Sequence, residues 1–216
     1  MITGYTQLHV EGAFGATTPE QEDVLRRVLR AANDQLTLVK DLLDLARIEQ
    51  GKFSYQLVPV PVGSLTESLV DTMDTLLRDR PVTFSLEVAP DAVAIADPER
   101  LRQVLGNLLV NASKFTDTGT IRLTAGRADG SIRIAVSDTG RGMDPELCAR
   151  VLEPFVCGDE GRGWGLGLAI VARLIDVFAG SLAIDSVAGQ GTTVTICLPA
   201  AVDEMEPAVA RTSATA

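Results

Sequence analysis

Apolar positions in the first fifty residues follow a helical period. From Leu25 they recur at Leu29, Ala32, Leu36, Val39, Leu43 and Ala46, alternately four and three apart. That is a 3.5-residue repeat, the seam of a coiled coil. Thr18-Pro19-Glu20-Gln21 supplies the start of this helix. Threonine is the N-cap, proline takes the first helical position, and glutamine closes a capping box. Gly51 supplies the stop. A second stripe (Val28, Leu38, Leu42 and Leu45) flanks the first, giving more apolar surface than one hairpin can bury. A dimeric four-helix bundle would cover both stripes, as would packing on the following domain; the pattern favours the dimer. Residues 1–12 read as the end of a preceding helix, joined by a glycine-containing turn over 12–18.

The pattern then changes. Residues 52–63 hold valines and prolines without helical period and read as an extended linker. Ser64-Leu-Thr-Glu67 reads as a second capping box, opening a helix to about residue 79. Strand patterns follow at 82–88 and 92–96. Asp97-Pro98 caps a helix running to Phe115. A hairpin is expected from 120–126 and 131–137 around Asp129-Gly130. A short helix at 145–152, a glycine-rich loop at 153–165 and a helix at 166–178 come next. A last hairpin, 182–186 with 193–198, closes the pattern. Residues 200–216 are small, polar and acidic, and read as a disordered tail. Strands and helices do not alternate regularly, so this is not a doubly wound parallel sheet. The expected class is α+β, with three helices on one face of a mixed, mostly antiparallel sheet.

Composition narrows the function. The 216 residues are 46% hydrophobic but only 4% aromatic, so the core is aliphatic. The net charge of −10 argues against nucleic acid, whose phosphates need a positive footprint. It does not argue against ATP, which backbone N–H groups and magnesium can meet locally. Cys148, Cys157 and Cys197 have no metal-ligand spacing and read as reduced cytoplasmic thiols. No apolar run is long enough to span a membrane, and no signal peptide is expected at the N-terminus.

Four segments between residues 107 and 193 carry the candidate chemistry. In Asn107-Leu-Leu-Val-Asn111-Ala-Ser-Lys114-Phe115-Thr116 the two asparagines are four apart and share a helix face. An amide oxygen is a hard ligand suited to magnesium, and Lys114 is close enough to meet phosphate. Asp138-Thr-Gly140-Arg-Gly142 ends a strand. A carboxylate there can accept the exocyclic amino group of adenine and would reject guanine, which presents an oxygen. Gly161, Gly163, Gly165 and Gly167 lead into a helix N-terminus, where free N–H groups and the helix dipole favour an anion. Gly189-Gln-Gly191-Thr192-Thr193 is the fourth. There is no Walker-type GxxxxGK[ST] run, so the phosphate cradle is of another kind.

With Glu153-Pro-Phe155, these segments resemble the N, G1, F, G2 and G3 boxes of sensor histidine kinases. The resemblance covers nearly the whole chain. It implies a Bergerat-type (GHKL) α/β sandwich over residues 64–199, preceded by a dimerisation and phosphotransfer hairpin over 1–51. Asp41-Leu-Leu-Asp-Leu-Ala-Arg-Ile-Glu-Gln-Gly51 is similar to the end of that hairpin's second helix. By resemblance Asn111 would hold Mg2+, Lys114 a phosphate and Asp138 the adenine, with Asn107 on the same catalytic face. Phe115 would pack near the base and Thr192 would support Asp138. Gly140, Gly142, Phe155 and the stretch Gly163, Gly165, Leu166, Gly167 and Leu168 would line the ATP site under a lid spanning 153–165. The implied partners are a second copy of the chain, a response regulator receiver domain, and a separate histidine-containing or sensor protein.

Two features depart from the pattern. The His-Glu-Leu-Arg-Thr-Pro-like acceptor segment does not occur, and the sequence opens at Met1-Ile2-Thr3-Gly4-Tyr5, the stretch that follows it in the family. The only histidine, His9, has no following acid and reads as a surface or bundle residue, so the acceptor is expected to come from elsewhere. Trp164 stands where the family more often has a small residue, to cover either the nucleotide or a neighbouring helix. Asn107 occupies the turn where ATPase relatives usually carry an acid. An amide cannot take a proton from water, so hydrolysis should be poor and ATP kept for a protein acceptor. Two other readings share the pocket: a non-catalytic ATP-binding regulatory module, and a serine kinase of the anti-sigma type.

Overall fold

The computed structural model describes residues 1–158 and 164–201, in two units divided between Lys52 and Phe53. In the first, α1 (Ile2–Val10) and α2 (Pro19–Glu49) pack as a helical hairpin. The capping box forms as read. Gln21 N–H donates to Thr18 Oγ1 at 3.3 Å, and Thr18 N–H donates to Gln21 Oε1 at 2.9 Å. The seam is open on the single chain: Leu36, Val39 and Leu43 are 60%, 54% and 52% exposed.

The second unit contains β1 (Val58–Pro61), α3 (Gly63–Leu76), β2 (Val82–Val88), β3 (Val93–Ala96), α4 (Pro98–Phe115), β4 (Gly119–Ala128), β5 (Ser131–Asp138), α5 (Pro145–Arg150), α6 (Gly167–Val177), β6 (Ser181–Val187) and β7 (Gly191–Pro199). Five strands form a sheet in the order β2-β4-β5-β7-β6. Only the β2–β4 pair is parallel. Period-2 alternation turns Ile132, Ile134 and Val136 of β5, and Val194, Ile196 and Leu198 of β7, into the core. There they meet α4, which lies between α3 and α6 and buries Leu101, Leu105, Leu108 and Leu109. The expected α+β sandwich is therefore present. Asp129 and Gly130 both have positive φ, the type I′ geometry that suits the twist of a two-residue hairpin.

The stretch read as a linker needs correcting. Val58–Pro61 pairs antiparallel with Val93–Ala96, and the Gln56 N–H is held by Asp97 Oδ2 at 2.9 Å. Val60 and Val62 are buried, which supplies the driving force. Proline in alternate positions imitates a linker, but β1 is an edge strand, where proline is tolerated. The helix that follows starts at Gly63 without a side-chain cap, and Ser64 Oγ donates back to the Pro61 carbonyl at 2.7 Å. The expected Ser64–Glu67 capping box therefore does not form. Among the described residues no helix is long and apolar enough to cross a membrane.

Candidate functional site

Asp97 fixes the start of α4, accepting the Glu99 and Arg100 N–H groups at 3.0 and 3.1 Å. From there the 3.6-residue period dictates which side chains emerge together. Asn107, Asn111 and Phe115 are spaced four apart and share one face, each half-buried. Lys114 is beside them and exposed, with polar partners of its own. The opposite, leucine-rich face is in the core, so this stripe cannot rotate away.

The N-terminus of α6 meets that stripe. Asn107 Nδ2 donates to the Gly167 carbonyl at 3.4 Å. A Cβ on Gly167 would sit 3.7 Å from Asn111 Nδ2 and 3.9 Å from Asn107 Cγ. No side chain caps the first turn of α6 and no acidic residue occupies it, so its N–H groups keep their affinity for an anion. Leu166 is the N-cap residue and its side chain is buried in the core; Leu168 is half-buried. Leu166 therefore packs the core, leaving only its backbone for a ligand.

Asp138 ends β5 and reaches the same region through the C-terminus of α4. It lies opposite Thr192 of β7 in register. Its Oδ1 accepts the Gly140 N–H at 2.9 Å. Burial pushes the Asp138 carboxyl above its ordinary range, opposed by the Gly140 and Thr192 N–H groups and the Thr116 hydroxyl. Thr192 Oγ1 pairs with Ser186 Oγ at 2.8 Å, and that same Ser186 oxygen accepts the Met143 N–H at 2.9 Å. These contacts anchor the turn after Asp138 at both ends. Gly142 has φ of +61°, and a Cβ there would strike the Val187 carbonyl. The resemblance gives this glycine to the lining of the ATP site; in the structure, crowding by protein backbone already requires it. Arg141 lies over the Phe115 ring, 4.6 Å from guanidinium to centroid.

The loop read as a lid is pinched at its base. Phe155 N–H donates to the Gly165 carbonyl at 3.0 Å, with Phe155 itself at φ of +65°. Gly165, at φ of +68°, would place a Cβ 2.6 Å from the Val156 carbonyl. Phe155 and Trp164 are both more than half exposed. Gly163, assigned to the nucleotide from the sequence, lies outside the described residues, as does Gly161.

The structure thus brings Asn107 and Asn111 to Gly167 at the start of α6, while Phe115 on the same face of α4 meets the turn after Asp138. That turn carries Gly140, and Asp138 lies opposite Thr192. Among the described residues no group of three or more His, Cys, Asp or Glu side chains could hold a metal. A magnesium ion here would draw on the Asn111 amide oxygen, water and oxygens of a bound phosphate, a hard-donor set that fits its preference. Sequence reasoning gave no role to Thr116, Ser186 or Arg141. Their contacts are non-local, and no spacing rule announces them.

Comparison with known proteins identifies the family and the fold. Residues 1–51 match the family model of the His Kinase A (phospho-acceptor) domain, and residues 96–202 match that of the histidine kinase-, DNA gyrase B- and HSP90-like ATPase. The circadian input-output histidine kinase CikA of Synechococcus elongatus is 32% identical over 217 residues, covering 95% of this chain and 29% of that protein. The sensor protein TorS of Escherichia coli (strain K12) is 37% identical over 186 residues, 83% of this chain and 20% of that one. The chain thus spans less than a third of these relatives. Among solved structures, full-length ShkA in complex with AMPPNP superposes with a TM-score of 0.78 at 32% identity, covering 94% of this chain and 44% of that one. The histidine kinase AdeS of Acinetobacter baumannii, 20% identical with a TM-score of 0.70 over 92% of this chain and 93% of that one, shares the fold.

Proposed function

This chain belongs to the sensor histidine kinase family, and from that premise we propose that it binds Mg-ATP between α4, α6 and the end of β5. It then passes the γ-phosphoryl group to a protein histidine, for relay to an aspartate of a response regulator receiver domain. The observation that carries this reading is the contact between the uncapped N-terminus of α6 and the Asn107/Asn111 face of α4. Phosphates on those N–H groups would lie beside Asn111, whose amide would hold a magnesium ion through its oxygen, a hard donor, and the ion would supply charge neutralisation for the phosphates. Phosphoryl transfer asks mainly for positioning and charge neutralisation. Lys114 and the bound ion would neutralise, and Asp138 would orient the base. The half-buried Asn107 amide cannot accept a proton from water, which favours transfer over hydrolysis. The acceptor is a histidine other than His9, which packs tilted against Phe14 with ring centroids 5.3 Å apart and has no acid at the next position.

The test is transfer of radiolabelled phosphate from ATP to a supplied protein carrying a phospho-acceptor histidine hairpin. Acid-labile label on that protein is expected. Binding of ATP without transfer to any acceptor would favour a non-catalytic regulatory module, and acid-stable label would favour a serine kinase.

The exposed seam of α2 is the homodimer face in this reading. The double change Leu36→Glu and Leu43→Glu is expected to convert a dimer to a monomer in sedimentation velocity while leaving nucleotide binding unchanged. Persistence of the dimer would move its interface off this seam.

A further inference from the structure

Among the described residues, one buried side-chain polar atom makes no hydrogen bond: Oγ1 of Thr116. Thr116 ends α4 and is completely shielded from solvent. Its carbonyl is occupied, accepting from Arg80 Nη2 at 2.7 Å, so the backbone is held while the hydroxyl is left over. An unpaired buried hydroxyl is destabilising, and valine would fill the same space without that cost. The hydroxyl faces the Asp138 carboxyl and helps to keep it ionised, yet without the geometry of a formed hydrogen bond. Local packing explains the proximity. The Phe115 carbonyl accepts the Arg141 N–H at 3.1 Å, and a Cβ on Gly140 would strike that carbonyl. The turn after Asp138 therefore lies directly on the last residues of α4.

An oxygen that water cannot touch is also out of reach of a ligand, so Thr116 can act only through Asp138. We propose that Thr116 is a positioning residue of the nucleobase site: a donor held in reserve for the Asp138 carboxylate and engaged when a purine base covers it. This rests on the reading of Asp138 as acceptor of the base's exocyclic amino group. Before binding, the carboxylate is served by the Gly140 and Thr192 N–H groups and by solvent on its open side. A docked base strips that solvent away. Two carboxylate oxygens offer about four acceptor sites, so a third protein donor can be added without competing with the amino group. A turn of the hydroxyl hydrogen and a small shift of the carboxylate complete the bond. The ionisable groups on neighbouring segments are Arg80, Lys114, Asp117, Arg122, Arg141 and Asp185. None contributes to the shift at Asp138, which comes from burial and the three donors. The hydroxyl is thus the side chain that tunes this carboxylate.

The experiment is calorimetric titration of the 216-residue chain with Mg-ATP, from neutral pH down through the carboxylate range, for the unaltered protein, Thr116→Val and Thr116→Ser. Thr116→Val should weaken binding about tenfold at neutral pH, the scale of one hydrogen bond to a charged group. It should also move the acid loss of binding to higher pH, because a donor favouring the ionised carboxylate is gone. The melting temperature of the nucleotide-free protein should be no lower than that of the unaltered chain, and Thr116→Ser should restore affinity and pH profile together. Unchanged affinity with an unshifted acid limb in Thr116→Val would overturn the proposal. So would weakened binding accompanied by a lowered melting temperature that serine does not restore, since that marks a purely structural threonine. Absence of Mg-ATP binding by the unaltered chain would overturn the parent reading and this one with it.

Discussion

Replacing Asn111 with alanine is expected to abolish magnesium-dependent nucleotide binding while leaving the fold intact. Asn111 is half-buried on the face of α4 that meets Gly167, with Asn107 one turn before it and Phe115 one turn after. Its amide oxygen is the protein ligand proposed for magnesium, and alanine offers no oxygen in its place. Losing a direct ligand should cost at least as much as losing a residue that merely orients one, for which a 10- to 100-fold loss is typical, or about 1.4 to 2.8 kcal/mol. The helix itself should not suffer, because asparagine is a poor mid-helix residue and alanine the best. Asn107→Ala is the informative companion. It removes only a long 3.4 Å hydrogen bond to the Gly167 carbonyl, so ground-state binding should change less. Calorimetry with Mg-ATP and with ATP plus chelator separates the cases. Magnesium-dependent binding that survives in Asn111→Ala would undo the pocket assignment.

Asp138→Asn is expected to lose base selectivity without losing stability. The asparagine oxygen can still accept the Gly140 N–H, but an amide has fewer acceptor sites than a carboxylate and turns an N–H2 towards part of the pocket. A hydrogen bond to a charged group is worth about 1.5–3 kcal/mol, so affinity for ATP should fall roughly 10- to 100-fold, with GTP no longer strongly disfavoured. The stability argument runs the other way. Burial raises the folded-state carboxyl above its unfolded value, so the folded protein holds this proton more tightly. That contribution is fully present below the unfolded value and is lost as pH rises through the folded one. At neutral pH the ionised carboxylate is therefore a net cost at this site, and asparagine removes it. Thermal melts should show the unaltered chain losing stability relative to Asp138→Asn as pH rises through the carboxylate range. A difference that does not grow in that direction, or undiminished selectivity for ATP, would contradict the role given to this residue.

Both predictions concern residues whose identity was readable in advance, and the reasons are physical. Asn107, Asn111 and Phe115 share a face because the helix period puts them there, and the capping signals at Thr18 and Asp97 are satisfied by the residues expected. Strand alternation located β5, β6 and β7 to within a residue or two. Where reading failed, the deciding interaction lay far along the chain. Val58–Pro61 looked like linker because its partner is more than thirty residues away in β3, and an edge strand can carry proline. The Ser64 cap failed because Gly63 could begin the helix first, leaving the serine hydroxyl for the Pro61 carbonyl.

The sequence by itself determined most of the elements, the sandwich of helices on a mostly antiparallel sheet, and part of the chemical inventory of the candidate pocket. These follow from period, capping and residue type, all of which act within a few positions along the chain. Only the tertiary structure decided that the free N-terminus of α6 lies against the asparagine face of α4. It alone decided that the turn after Asp138 is laid on the last residues of α4, leaving one buried threonine hydroxyl facing the carboxylate with no bond made. Such contacts depend on how whole elements pack. No local rule orders a hydroxyl at residue 116 relative to a carboxylate at 138; the path of the backbone between them does.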